Sequence, residues 1–216
     1  LEDRQASRQT QCWAIWVVMV LGLPCAAAFA VFGELILPTL FQYGAMAVSD
    51  IEASALSLMA YAAGLPAFMM IKVLAPHYFA HQDTKTPVKI GLIAMTANMV
   101  FNLILVWSLD HVGLALATSL SAWLNAALLL RGLNQRGWYK VDRLPWRSMA
   151  QLCIALVVMV QIAWLAPSAA ALVSHSVVER VVWTAVLLGG SGLLYLITLR
   201  LTGIRYTSLL VPPSAR

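Results

Sequence analysis

Apolar residues fall into six long runs almost free of charge, separated by short stretches that hold most of the polar residues. The runs are Cys12–Phe32, Ala53–Ile71 (continuing past Lys72 to Ala75), Ile90–Leu109, Val112–Leu130, Met149–Ala166 and Val181–Leu199. None alternates with a period of two, and each is too long for a barrel strand. About 20 apolar residues carry a helix across the ~30 Å hydrocarbon core of a bilayer. Each run therefore predicts one transmembrane helix, and the expected fold is an all-α polytopic bundle of six spans. One stretch breaks the pattern. Gly33–Asp50 contains the apolar segment Leu35-Ile36-Leu37-Pro38-Thr39-Leu40-Phe41-Gln42-Tyr43-Gly44, which is too short to cross and predicts an interfacial or re-entrant piece.

Composition removes the other classes. Of 216 residues 61% are hydrophobic and 11% charged, against roughly 25% charged in a soluble domain. Too little polar sequence remains to cover a water-soluble core, and the same numbers exclude a disordered chain or a collagen. Cys12, Cys25 and Cys153 lie in or beside apolar runs, with neither a disulfide framework nor metal-ligand spacing. They read as small buried hydrophobes. The chain starts at Leu1 rather than at methionine, which points to the tail of a longer protein.

Charge sets direction. Arg4, Arg8, Lys72, Lys85, Lys89, Arg131, Arg136, Lys140, Arg143, Arg147, Arg200, Arg205 and Arg216 fall on one set of alternating flanks, and only Arg180 on the other. By the positive-inside rule the first set, with both termini, is cytoplasmic. The net charge of +5 is thus a topology signal; spread over four flanks, it predicts no nucleic-acid surface. Trp13, Trp16, Trp107, Trp138, Trp146 and Trp183 sit near span ends, as amphipathic rings do, whereas Trp123 and Trp164 lie deeper. The basic linker Arg131–Arg147 anchors topology or attracts anionic lipid heads. It divides the chain into residues 1–135, with four spans, and 136–216, with the linker and the last helix pair.

Several residues inside the spans are candidates for function. Gly22 and Pro24 interrupt the first run, and Gly64 and Pro66 the second. Proline removes a helix hydrogen bond, and transporters use such breaks as bending points. Asn98 and Asn102 share a helix face, as do Thr118, Ser121 and Asn125 on the next run. Asn102 and Thr118 lie at similar depth, roughly 10 Å from the outer boundary. They can act as interhelical glue or as a small cation site of amide, hydroxyl and backbone oxygens. Lys72, near the cytoplasmic end of its span, either snorkels to the interface or faces a cavity and an anionic substrate. Gly189-Gly190-Ser191-Gly192 matches the Gly-x-Ser-Gly of rhomboid proteases, but no histidine follows Ser191 to activate it. The histidines His77, His81, His111 and His175 all lie in loops, and His77 and His81 share a face only if the second helix continues.

The segment Lys72–Lys89, with its turn Asp83-Thr84-Lys85-Thr86-Pro87, is distinctive. Together with Leu40-Phe41-Gln42-Tyr43-Gly44 and Gly113-Leu114-Ala115-Leu116-Ala117-Thr118-Ser119 it resembles the MurJ (MviN) lipid II flippase family. That family has fourteen helices, and this chain resembles the last six. The resemblance implies a transporter of the bacterial cytoplasmic (inner) membrane, not an enzyme. It would move undecaprenyl-pyrophosphate-linked muropeptide outward by alternating access during peptidoglycan synthesis. Its implied partners are lipid II, membrane lipids and a missing N-terminal lobe that carries the cavity arginines. The last helix pair would form an apolar groove for the lipid tail. Sodium binding in the C-terminal lobe of some members maps onto Asn98, Asn102, Thr118 and the Leu114 carbonyl, although Asn102 replaces an acidic ligand; no other cofactor is implied. Another polyprenyl-linked glycan or a drug is the alternative substrate, and a non-transporting membrane scaffold the alternative class.

Overall fold

The computed structural model describes residues 2–41, 48–138, 146–165 and 176–204. All regular structure among them is helical: α1 (Glu2–Val31), α2 (Gly33–Phe41), α3 (Val48–Ala62), α4 (Leu65–Ala80), α5 (Lys85–Gln135), α6 (Trp146–Gln161), a 3-10 turn (Ile162–Leu165) and α7 (Val177–Leu201). Five segments are long and apolar enough to cross a membrane: Cys12–Val31, Asp50–Ala80, Lys85–Gln135, Trp146–Leu165 and Val177–Leu201.

The third of these contains both the third and the fourth apolar run. Its 51 residues would reach ~77 Å if straight, far more than the ~30 Å of a bilayer core. Instead the chain reverses at Asp110, at φ 47° and ψ −125°. After the reversal Gly113 lies directly on the Leu105 carbonyl, and a β-carbon there would collide with it. At the other end Arg136 returns to Asp83 and Thr86. The segment is thus a helical hairpin whose two ends meet.

The second apolar run is two helices. α3 stops at Ala62 and α4 starts at Leu65, and Pro66 occupies the first turn of α4, where a missing N–H costs nothing. α4 then runs through Pro76 to Ala80, beyond the expected end at Ala75. The short piece expected after α1 is the nine-residue helix α2. Its Leu35, Ile36, Leu37, Pro38 and Thr39 are buried, packed against α3 and α7. The Thr39 and Thr184 hydroxyls share a 2.8 Å hydrogen bond. Tyr43 and Gly44 lie outside the described residues. α7 starts earlier than its apolar run because Ser176 and Glu179 form a reciprocal capping box.

Packing joins both parts of the chain. α6 and α7 pair with each other and also pack on α1. Val20 of α1 shares a buried cluster with Leu152, Ala155, Met159, Tyr195 and Leu199. A second cluster, around Tyr78, Leu74, Leu129 and Leu133, joins α4 to the returning arm of α5. Large apolar side chains such as Leu103, Ile104 and Val186 point outward, as a bundle bathed in lipid requires.

Candidate functional site

The first run is not interrupted: α1 is one helix from Glu2 to Val31 with Pro24 inside it. The Pro24 region and the α3–α4 break lie side by side. At Gly22 of α1 a β-carbon would lie 3.7 Å from the Pro66 Cα and 2.9 Å from the Met69 sulfur. Both places leave backbone carbonyls without their helical partners, which is costly in hydrocarbon unless other groups supply hydrogen bonds. At the α3–α4 break the Gly64 N–H turns to the Tyr61 carbonyl, freeing the Ala60 carbonyl. The Ser119 hydroxyl of α5 donates to Ala60 O at 2.6 Å, and the Trp123 indole N–H donates to Ala63 O at 2.8 Å. In α1, Pro24 has no N–H to offer the Val20 carbonyl four residues earlier. The Tyr195 hydroxyl of α7 donates to that carbonyl at 2.6 Å. Each freed carbonyl is therefore met by a side chain from a different helix.

Pro24 is half-buried and Pro66 buried. Lys72 is exposed, and because α4 continues to Ala80 it sits ~12 Å before the helix end rather than one turn from it. Asn125 is half-buried on the returning arm of α5, one residue before Ala126, which packs with Ala67 of α4.

The Asp83-Thr84-Lys85-Thr86-Pro87 turn forms the most densely bonded polar cluster among the described residues. Asp83 Oδ1 accepts from the Thr86 N–H at 3.1 Å, capping the start of α5. Its other oxygen accepts from the Arg136 guanidinium, which also donates to the Thr86 hydroxyl at 2.7 Å. Hydrogen bonds from Thr86 and then from Arg136 hold the Asp83 carboxyl at about 2, below its ordinary 3.8. The Arg136 guanidinium lies 4.9 Å from the Trp138 ring centre and 5.4 Å from that of Tyr78. His81 stacks on Trp138 at 4.1 Å, and His77 and His81 do share a face, 4.5 Å apart. Tyr78 donates to the Leu129 carbonyl at 2.7 Å. Lys85 remains exposed. The turn thus bolts α4 to both ends of the α5 hairpin.

Asn102 Nδ2 donates to Asn98 Oδ1 at 2.9 Å, and Thr118 donates to the Leu114 carbonyl at 2.9 Å. Among the described residues no hydrogen bond links the two pairs. Asn102 Oδ1 is shielded from solvent and meets no donor. It borders a groove of about 360 Å³ lined by Met99, Asn102, Leu103, Val106 and Leu114. One unengaged oxygen and no carboxylate is a sparse donor set for a cation. Ser191 is buried and donates to the Leu188 carbonyl of its own helix at 2.8 Å, as a packing residue does.

Arg136 was legible only as one charge of the basic linker, and its partners stand about fifty residues away. Ser119 stood out only as the last residue of the Gly113–Ser119 stretch, with no sign of its carbonyl partner, and Tyr195 gave no signal inside its apolar run. Trp123 did, by sitting too deep for the interfacial belt. Lys140, Arg143, Arg205, Arg216 and His175 lie outside the described residues.

The family profile described as lipid II flippase MurJ matches residues 1–183. The chain is 42% identical over 201 residues to the probable lipid II flippase MurJ of Vibrio cholerae, covering 93% of this chain and 38% of that protein. It is 40% identical over 204 residues to the probable lipid II flippase MurJ of Haemophilus influenzae, covering 94% and 40%. A solved structure of lipid II flippase MurJ in an inward closed conformation superposes with a TM-score of 0.68 at 20% identity, over 89% of this chain and 38% of that one; at that identity the match speaks for the fold. The chain spans about two fifths of the length of these relatives. With the family profile covering 183 of 216 residues and the fold in agreement, the chain belongs to the lipid II flippase MurJ family.

Proposed function

We propose that this chain is the C-terminal part of a lipid II flippase of the bacterial cytoplasmic membrane. The protein carries undecaprenyl-pyrophosphate-linked muropeptide from the inner to the outer leaflet by alternating access, and performs no covalent chemistry. The observation that carries this reading is the family match over residues 1–183. The proline inside α1 and the α3–α4 break at Gly64–Pro66 support it, because rocking transporters bend at such points.

In this reading the chain crosses the membrane six times with both termini in the cytoplasm. The closed α5 hairpin counts as two crossings, and thirteen of fourteen basic residues fall on one side. Residues 1–135 belong to a transport lobe. Residues 136–216 add the last helix pair, whose outward Val157, Val186 and Leu193 suit a groove for a lipid tail. The N-terminal remainder of the protein supplies the cationic surface for the pyrophosphate. Lys72, exposed on α4, is the cation of this chain that this reading assigns to such a path.

The test is reconstitution of the full-length protein in proteoliposomes, paired with its depletion in cells. Outward movement of lipid II, and its accumulation in the inner leaflet on depletion, are expected. Normal wall synthesis without the protein overturns the reading, and preferential transport of another polyprenyl-linked glycan or a drug reassigns the substrate. The sodium reading rests on Asn102 Oδ1, the unengaged oxygen of the set. Transport that is unchanged when sodium is replaced by choline, and by Asn102→Ala, removes it.

A further inference from the structure

The contact between Tyr195 and Val20 joins the last membrane helix to the first. Val20 is 1% exposed and Tyr195 4%. Their 2.6 Å hydrogen bond spans 175 positions of sequence. Its acceptor is the one carbonyl of α1 that Pro24 strips of its helical donor. The proline ring also crowds that carbonyl, so α1 cannot take the bond back. In hydrocarbon no water is at hand to replace it. A tyrosine buried in a membrane helix needs a partner for its hydroxyl, and this one has found the acceptor that needs a donor most.

We propose that Tyr195 is a latch on α1 at Pro24: its hydroxyl closes the carbonyl freed by Pro24, so that α7 can leave α1 only when α1 rearranges there. The break between α3 and α4 has the same construction, with Ser119 and Trp123 in the closing role, and the two places touch at Gly22 and Pro66. Movement of α1 at Pro24 is thereby tied to the pair α6–α7, and movement at the α3–α4 break to the α5 hairpin. The bond couples the last helix pair to the bundle whatever substrate the protein carries. The latch therefore does not rest on the lipid II reading.

A double-substitution cycle tests the pairing of Tyr195 with Pro24. Pro24→Ala restores an N–H that can fill the Val20 carbonyl, and Tyr195→Phe removes only the hydroxyl, keeping the ring among Leu152, Ala155, Met159 and Leu199. In the full-length protein, reconstituted in phospholipid nanodiscs, spin labels at Cys12 and at Phe29→Cys bracket Pro24, with all other cysteines replaced by alanine. Pulsed electron–electron resonance then reads the distribution of α1 geometries. With Pro24 present, Tyr195→Phe is expected to raise the population of non-native distances by roughly tenfold, the effect of one lost buried hydrogen bond. With Pro24→Ala, Tyr195→Phe is expected to change nothing. An unaltered distribution in the Pro24 background overturns the latch, as does an equal change in both backgrounds, which is what a mere packing role predicts. If Tyr195→Phe prevents folding, recovery of the folded protein by added Pro24→Ala supports the latch, and failure of both proteins to fold overturns it.

Discussion

At Gly64 a single hydrogen stands where any other residue would put a methyl group against α5. A β-carbon built there lies 2.5 Å from the Ser119 hydroxyl and 2.8 Å from the Ser119 Cα. The second contact is with backbone and cannot swing aside. Gly64→Ala must push α5 away from the break, lengthening the bonds from Ser119 to Ala60 and from Trp123 to Ala63. Overpacking of this kind costs about 1–3 kcal/mol. A matching drop in the denaturant midpoint of the detergent-purified protein is expected, and an unchanged midpoint contradicts the close approach. The same site shows what single residues disclose in sequence. Pro66 and Gly64 announce a break by type alone, since one lacks a donor and the other a side chain. The groups that close the break are ordinary in type, and their role comes from where folding puts them. Trp123 was the partial exception: an indole N–H deep in an apolar run must find an acceptor, and it found Ala63 O. Trp164, the other deep tryptophan, is 85% exposed in the 3-10 turn that follows α6, so depth in sequence was a poor guide there.

Helices were legible because hydropathy is a sum over many residues and survives local exceptions. The apolar runs are mainly helical among the described residues, the second as two helices and the fifth ending in a 3-10 turn, and most helices extend beyond their runs into polar sequence, α1 by ten residues. α4 passes Pro76, whose ring the helix tolerates within a packed bundle, and α7 begins early at a capping box. What periodicity could not convey is how elements are bolted together, because that depends on pairs far apart in sequence. The Asp83–Arg136 pair is the clearest case. The folded carboxyl has a pKa of about 2 against an ordinary 3.8, so this contribution is complete above about pH 4 and is lost as pH falls toward 2. The stability difference between the native protein and Asp83→Asn is therefore expected to be constant from neutral pH to about 4 and to shrink from there to about 2. Unfolding midpoints measured across that range in detergent check it. A difference that stays level between pH 4 and 2 would mean that the ionised carboxylate is not what joins α4 to the α5 hairpin.

For the whole molecule the strongest constraint is the meeting of the two ends of α5. A straight crossing would leave Asp83 and Arg136 on opposite faces of the membrane. In the proposed six-crossing arrangement their contact places both on one face and the Asp110 turn on the other, matching the sidedness expected from the basic residues. The solvent-exposed positions Thr84 and His111 therefore report opposite compartments. In a protein with its native cysteines replaced by alanine, a single Thr84→Cys is expected to react with a membrane-impermeant maleimide only after the inner membrane is opened. A single His111→Cys is expected to react in intact spheroplasts, as is Ser176→Cys at the cap of α7. Together the three positions fix the sidedness of the α5 hairpin and of the last helix pair. Labelling of Thr84→Cys from outside would invert the bundle. Labelling of Thr84→Cys and His111→Cys from the same side would mean that the first arm of the α5 hairpin does not cross. The first result reverses the sidedness and the second removes the six-crossing arrangement; either one removes the placement of Lys72 and the basic linker on the side where an inner-leaflet substrate begins its passage.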